Sequence, residues 1–178
     1  GAVEDLSKAA ELDGKNTNTL YVLAQAHAAA GDAKAALEAA SKAVDIEPDA
    51  TGADLRLLKA KLLQANGDAD GAVKEYETLA ALLPDAHDLR IQVGRGIMQA
   101  KQPEKAIPHF QAVAEALPEE PAPFVNWGRA LAAMGDLPGA VEKFDAAIAL
   151  KKPAPAAFVY KIELLAKEGK CADAKKAH

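Results

Sequence analysis

The sequence predicts an all-α fold, a stack of antiparallel helix hairpins built from one unit that returns about every 34 residues. Three recurrences predict it. Ala2, Ala36, Ala72, Ala106, Ala140 and Ala174 are separated by 34, 36, 34, 34 and 34 residues. A glycine-centred turn stands about five residues before most of these alanines, at Gly31-Asp32, Gly67-Asp68, Gly135-Asp136 and, in variant form, Gly169-Lys170. A proline then closes each unit, at Pro48, Pro84, Pro118 and Pro153.

The order helix, turn, helix, proline stop follows from the chemistry of these residues. Glycine supplies the left-handed residue that ends one helix, and the aspartate after it accepts from the free amides that open the next. The third turn departs, using Lys101-Gln102-Pro103, with proline suited to the first turn of the second helix. The closing prolines lack an amide hydrogen and fix the backbone, which stops the second helix.

Taken in chain order, residues 1–14 form an orphan second helix from about Ala2 to Asp13, with Val3, Leu6 and Leu12 on its apolar side. Its hairpin partner is missing, so part of that face is expected to be bare. The array is expected to continue toward the amino terminus, the chain being read as a fragment of something longer. Complete units are expected over 17–50, 53–86, 87–120 and 121–154, and an incomplete or capping unit over 155–178, all within one array spanning 1–178.

Within the first helix of the units, Leu20, Leu23 and His27 in one case and Phe124, Trp127 and Leu131 in another recur at intervals of three and four, the mark of a helix with one buried face. Small residues fall where a neighbouring helix must come close, at Ala24, Ala60, Gly94 and Gly128. Tyr76, Phe110 and Phe144 each sit four residues beyond their alanine, placed to fill the gap that a small residue leaves on the partner helix. The first complete unit departs with Ala40 at the ring position, and the fifth with Ile162 at the small one.

This pattern resembles the tetratricopeptide repeat over essentially the whole chain. The resemblance implies a right-handed superhelical solenoid whose concave groove, lined by the first helix of each hairpin, holds a peptide or protein segment. One groove-facing register position reads Gln25, Lys61, Arg95, Arg129 and Glu163, so three successive units place a cation on the same line. Neighbouring positions add Tyr21, Leu57, Leu58, Ile91, Gln92, Val125, Asn126, Val159 and Tyr160. The ligand-binding residues expected from this register are Tyr21, Gln25, Leu57, Lys61, Ile91, Gln92, Arg95, Asn126 and Arg129. Their cations predict a partner segment rich in carboxylates, which arginine grips bidentately. The alternative is that the cations are solvated or paired with acids such as Asp54 and Asp88, seven residues before Lys61 and Arg95. The lysine-and-asparagine clamp for chaperone tails is not reproduced: Tyr21 and Gln25 stand where it wants lysine and asparagine, and Ala122 or Ala156 replaces a lysine in later registers.

Composition bounds the partner. The chain has 178 residues, 50% of them hydrophobic and only 4% aromatic, so burial relies on close packing of small side chains. A formal charge of -5 argues against a nucleic-acid or anionic-membrane surface. No apolar run approaches the ~20 residues of a membrane span, and no direct membrane insertion is expected. Cys171 is the only cysteine, which leaves the compartment, cytoplasmic or periplasmic, undecided.

No catalytic set, metal site or cofactor is expected. Asn66-Gly67-Asp68-Ala69-Asp70-Gly71 with Glu77 fits a calcium-loop pattern apart from its first ligand, but the repeat requires a helix to start near Asp68 instead. Gly94-Arg95-Gly96 is half of a dinucleotide fingerprint with no strand before it. His27, His87, His109 and His178 lie in different units without a partner at ligand spacing, and Cys171 is placed to open the last helix. The expected function is therefore a protein-interaction scaffold or adaptor. The rivals are a module that self-assembles through its amino-terminal helix, which light scattering over a concentration series separates, and a substrate-selecting domain of a larger enzyme.

Overall fold

The structure, a computed structural model, describes residues 1–167 and 169. The expectations placed on Lys170, Cys171, Ala174 and His178 lie outside the described residues. Ten α-helices run through the rest: α1 Ala2–Leu12, α2 Thr17–Ala29, α3 Ala33–Ile46, α4 Ala53–Ala65, α5 Ala69–Leu82, α6 His87–Gln99, α7 Pro103–Ala116, α8 Pro121–Met134, α9 Leu137–Ala149 and α10 Pro155–Lys167. A 3-10 turn, Ala50–Gly52, precedes α4, and there is no strand among the described residues. The fold is an all-α solenoid of hairpins in two compact units, one over Gly1–Asp85 holding α1 to α5, the other from Ala86 onward holding α6 to α10. Within each unit the helices pack chiefly on their chain neighbours.

The turns show why the chain reverses where it does. At Gly31, Gly67 and Gly135 the backbone has φ of 81°, 84° and 85°. The following amide reaches back five residues, Asp32 N to His27 O at 2.9 Å, Asp68 N to Leu63 O at 2.9 Å and Asp136 N to Leu131 O at 3.0 Å. This bond satisfies carbonyls that the helix end leaves free. Each aspartate carboxylate then caps the next helix, accepting from Ala35 N at 3.0 Å, Gly71 N at 2.9 Å and Gly139 N at 3.0 Å. Asp68 thus belongs to a helix cap, and Asn66 closes α4, its Nδ2 donating to Ala33 O at 3.2 Å. That geometry is a helix start and not an ion-wrapping loop.

The third turn has the same geometry without the glycine. Gln102 N donates to Ile97 O at 3.3 Å, and Lys101 holds φ 62° in the left-handed region. Helix ends follow the prolines less uniformly. Second helices α3, α5 and α7 stop at Ile46, Leu82 and Ala116, two residues before Pro48, Pro84 and Pro118, whereas α9 stops at Ala149, ahead of Leu150-Lys151-Lys152 and Pro153. Leu150 is already extended, so the helix ends before the proline could end it.

Pairing within the hairpins rests on rings set against small residues. Tyr76, Phe110 and Phe144 are fully buried, as are Ala24, Ala60, Gly94 and Gly128. A Cβ built on Gly94 would lie 2.5 Å from Cε1 of Phe110, and one on Gly128 would lie 2.7 Å from Cε1 of Phe144. Burial raises the pKa of Tyr76, whose hydroxyl points to Gln64 Oε1 at 3.4 Å. In the first complete hairpin the core is alanine and leucine: Ala36, Ala40, Ala43, Leu20 and Leu23 are buried, with Val3 and Leu6 of α1 packed partly against them. Leu12, by contrast, is 91% exposed. Ile162 is half-buried on α10.

Two substitutions test these constraints. Lys101→Gly is expected to raise stability by about 0.5–1 kcal/mol, because a non-glycine residue in the left-handed region costs about 1–2 kcal/mol and glycine gives back part of that in unfolded-chain entropy. Calorimetry reads this as a rise of about 1–4 °C in Tm. Gly94→Ala is expected to destabilise by about 1 kcal/mol despite alanine's helix propensity, since the added methyl collides with a ring that has nowhere to go. Combining it with Phe110→Leu should cost less than the sum of the two single changes in the same measurement.

Candidate functional site

The expected binding residues divide between the two units. In the first, Gln25 on α2 and Lys61 on α4 are exposed, while Tyr21 and Leu57 are half-buried, Tyr21 packing with Leu58 against the core of α2 and α3. In the second, Gln92 and Arg95 on α6 are exposed, Ile91 is half-buried, and α8 carries Asn126 and Arg129. Ala24, Ala60, Gly94 and Gly128, each one residue before Gln25, Lys61, Arg95 and Arg129, are buried, and the step of about 100° brings Gln25, Lys61 and Arg95 to the surface and leaves Arg129 half-buried. Neither Lys61 nor Arg95 forms an ion pair with another described residue, and Asp54 and Asp88 pair with neither.

In the second unit, Arg95 and Arg129 come together with Met98 and Gln99 around a pocket of about 160 Å³. Arg129 also borders a second pocket of about 220 Å³, lined with Met98, Phe144, Tyr160, Glu163 and Lys167 among others. Its guanidinium carbon lies 5.0 Å from the centre of the Tyr160 ring, and its Nη1 donates to Asn126 Oδ1 at 3.4 Å. The Asn126 side chain is itself anchored, its Nδ2 donating to Ala122 O at 2.8 Å, and the residue is 9% exposed. Tyr160 in turn stacks on Phe144, the ring that fills the Gly128 gap, with centroids 5.9 Å apart. A chain of contacts therefore runs from the hairpin core to the arginine and holds the charge in place.

Sequence reasoning missed Met98 and Gln99. They lie three and four residues after Arg95, one turn further along the same helical face, so spacing alone could have found them. Val125 corrects an expectation: it is 6% exposed and packs with Ala147 and Ala157 instead of facing the groove. The next residue, Asn126, is also buried, at 9% exposed, and reaches Arg129 through its Oδ1.

The first unit holds a different polar cluster. Arg56, 8% exposed, donates from Nη1 to Glu75 Oε2 at 2.6 Å and from Nη2 to Pro48 O at 2.9 Å, and Lys59 Nζ reaches Glu75 Oε1 at 2.8 Å. Two cations and one carboxylate, all largely buried, tie α4 to α5 and to the end of α3. The carboxylate of Glu75 is shared by both cations, while Arg56 Nε is buried without a hydrogen-bond partner.

A tetratricopeptide repeat family model matches residues 57–121 and 125–177, and a second tetratricopeptide repeat model matches residues 17–50. The chain belongs to the tetratricopeptide repeat family. No curated protein matches this repeat chain in sequence. Among solved structures, the crystal structure of MamA protein is 22% identical over 94% of this chain and 84% of that one, with a TM-score of 0.65. YrrB, described as a TPR protein with an unusual peptide-binding site, is 19% identical over 98% of this chain and 89% of its own, with a TM-score of 0.63. A tetratricopeptide repeat protein from Parabacteroides merdae ATCC 43184 reaches a TM-score of 0.75 at 18% identity, over 99% of this chain and 69% of that one. At these identities the likeness is one of fold. A tetratricopeptide repeat fold is typically a non-enzymatic scaffold.

Glu75→Ala is expected to destabilise by about 3 kcal/mol, because it leaves Arg56 buried without its carboxylate. Urea unfolding followed by circular dichroism measures it, and an unchanged midpoint would show that the pair contributes nothing.

Proposed function

We propose that the protein is an interaction scaffold that holds a carboxylate-bearing peptide or protein segment on the exposed side of its first helices. The observation that carries this reading is the convergence of Arg95 and Arg129 on one pocket, with Arg129 braced by Asn126 and Tyr160. A guanidinium already fixed in direction loses less freedom on gripping a carboxylate than a free one does. Met98 beside the two arginines offers an adaptable apolar contact for the stem of an acidic side chain. Ile91 and Gln92 extend the surface along α6, and Tyr21, Gln25, Leu57 and Lys61 supply the corresponding positions in the first unit. The peptide-binding site named for YrrB supports a peptide as the kind of partner. An overall charge of -5 makes two unpaired arginines on one pocket a local reversal of sign, which favours acidic partners over basic ones.

Immobilised acidic, neutral and basic peptides, presented to the parent and to an Arg95→Glu, Arg129→Glu variant of equal helicity, test the proposal. Acidic peptides are expected to be retained by the parent, to weaken with added salt and to lose at least about tenfold in affinity with the variant, as removal of two charged contacts implies. Equal retention of every peptide class by both proteins would show the arginines to be a solvated face.

A further inference from the structure

Besides its alanine at the ring position, the first complete hairpin differs from those of α4–α5 and α8–α9 at one corner, where α6–α7 carries Arg90, Val93 and His109. Leu20, Leu23 and Ala39 occupy the register positions that hold Arg56, Lys59 and Glu75 on α4 and α5, and Phe124, Trp127 and Lys143 on α8 and α9. In the hairpins of α4–α5 and α8–α9 the last of these three is a long charged side chain engaged with one or both of the other positions. Glu75 pairs with Arg56 and Lys59, and the Lys143 ammonium lies 4.3 Å from the centre of the Trp127 ring. At Ala39 that side chain shrinks to a methyl group, and a pocket of about 380 Å³ opens between α1, α2 and α3. Gly14, on its edge, is the register equivalent of Pro48, whose carbonyl Arg56 occupies one repeat later. The same corner that a guanidinium fills further along the chain is therefore open here.

The pocket has the make-up of a binding site. Its floor is apolar and buried, from Ala10, Leu20, Leu23 and Ala39, and its volume falls in the range of about 300–1,000 Å³ typical of ligand pockets. Its rim is polar and unevenly charged. Glu11 and Glu38 are exposed, and neither forms an ion pair with another described residue. Lys42, likewise without an ion pair to another described residue, stands over Gly14, its Nζ 3.3 Å from where a Cβ would lie, and the His27 ring lies near Asp32, Nδ1 to Oδ2 at 3.9 Å. Two carboxylates against one ammonium leave the mouth net negative.

We infer that the pocket between α1, α2 and α3 receives a large aromatic side chain from a basic segment of a partner protein, with Glu11 and Glu38 meeting the cations beside it. A ring supplies the apolar area that the floor can cover, and a basic neighbour offsets the net negative charge of the rim. The site lies in the other unit from Arg95 and Arg129 and selects the opposite charge, so either proposal can fail while the other stands.

Titration of the isotope-labelled chain with an acetylated, amidated Ala-Lys-Trp-Lys-Ala peptide tests the inference. Ala-Lys-Ala-Lys-Ala and Ala-Glu-Trp-Glu-Ala serve as comparisons. The lysine-tryptophan peptide is expected to move the backbone amide signals of Gly14, Leu23 and Ala39, and the other two to bind more weakly. Ala39→Leu, which fills the corner, should weaken binding about tenfold through lost apolar contact. Glu11→Gln with Glu38→Gln, both exposed and harmless to folding, should weaken it about threefold and flatten its salt dependence. The inference is overturned if those amides do not move, if the glutamate-flanked peptide binds as tightly, or if the glutamine pair leaves affinity and salt dependence unchanged.

Discussion

Close approach of antiparallel helices depends here on a ring meeting an absent side chain. At Gly94 and Gly128 there is no space for even a methyl group beside Phe110 and Phe144. This fixes both the separation of the two helices and the rotation of each about its axis, since the small residue must face the ring. Everything on the surface follows from that rotation. With Gly94 and Gly128 turned inward, Arg95, one residue later, comes to the surface, and Arg129 is half-buried at the corresponding position. Phe144 then supports Tyr160, and Tyr160 lies against Arg129, so the residue that organises the core also directs the charge outside it.

The first hairpin solves the same problem with less material. Ala24 faces a helix whose inner residues are Ala36, Ala39, Ala40 and Ala43, so closeness comes from small side chains on both partners and not from a ring in a gap. Such a core buries less apolar volume per residue and leaves corners that longer side chains would close. In the next hairpin the corner is taken by an ionic cluster, in which Glu75 is shared by Arg56 and Lys59. One framework thus carries an alanine-lined opening, a buried ion cluster and a lysine over an indole at equivalent positions, without change in the turns that join the helices.

Much of this was legible in the sequence, because the signals were local and repeated. Helices begin at Thr17, Ala53, His87, Pro121 and Pro155, and the Gly-Asp turns act through bonds spanning five residues or fewer. The rings at 76, 110 and 144 were legible for the same reason. What escaped was set by facing elements. Val125 reads as a groove residue by spacing, yet Ala147 and Ala157 cover it. Met98, one turn beyond Arg95 on the same helical face, was passed over because an isolated methionine carries no charge pattern, although α8 brings Arg129 to the same pocket. The early end of α9 was hidden by its proline, which marked the stop four residues too late.

The turns have one more consequence, for the order in which the chain acquires structure. Each hairpin turn is closed by an amide and a carbonyl five residues apart, and within each unit the helices pack chiefly on their chain neighbours. Contacts of such short range cost little loop entropy and form quickly. As the polypeptide leaves the ribosome, a finished hairpin within either unit need not await distant sequence, and the segment exposed to misassociation at any moment is on the order of one repeat.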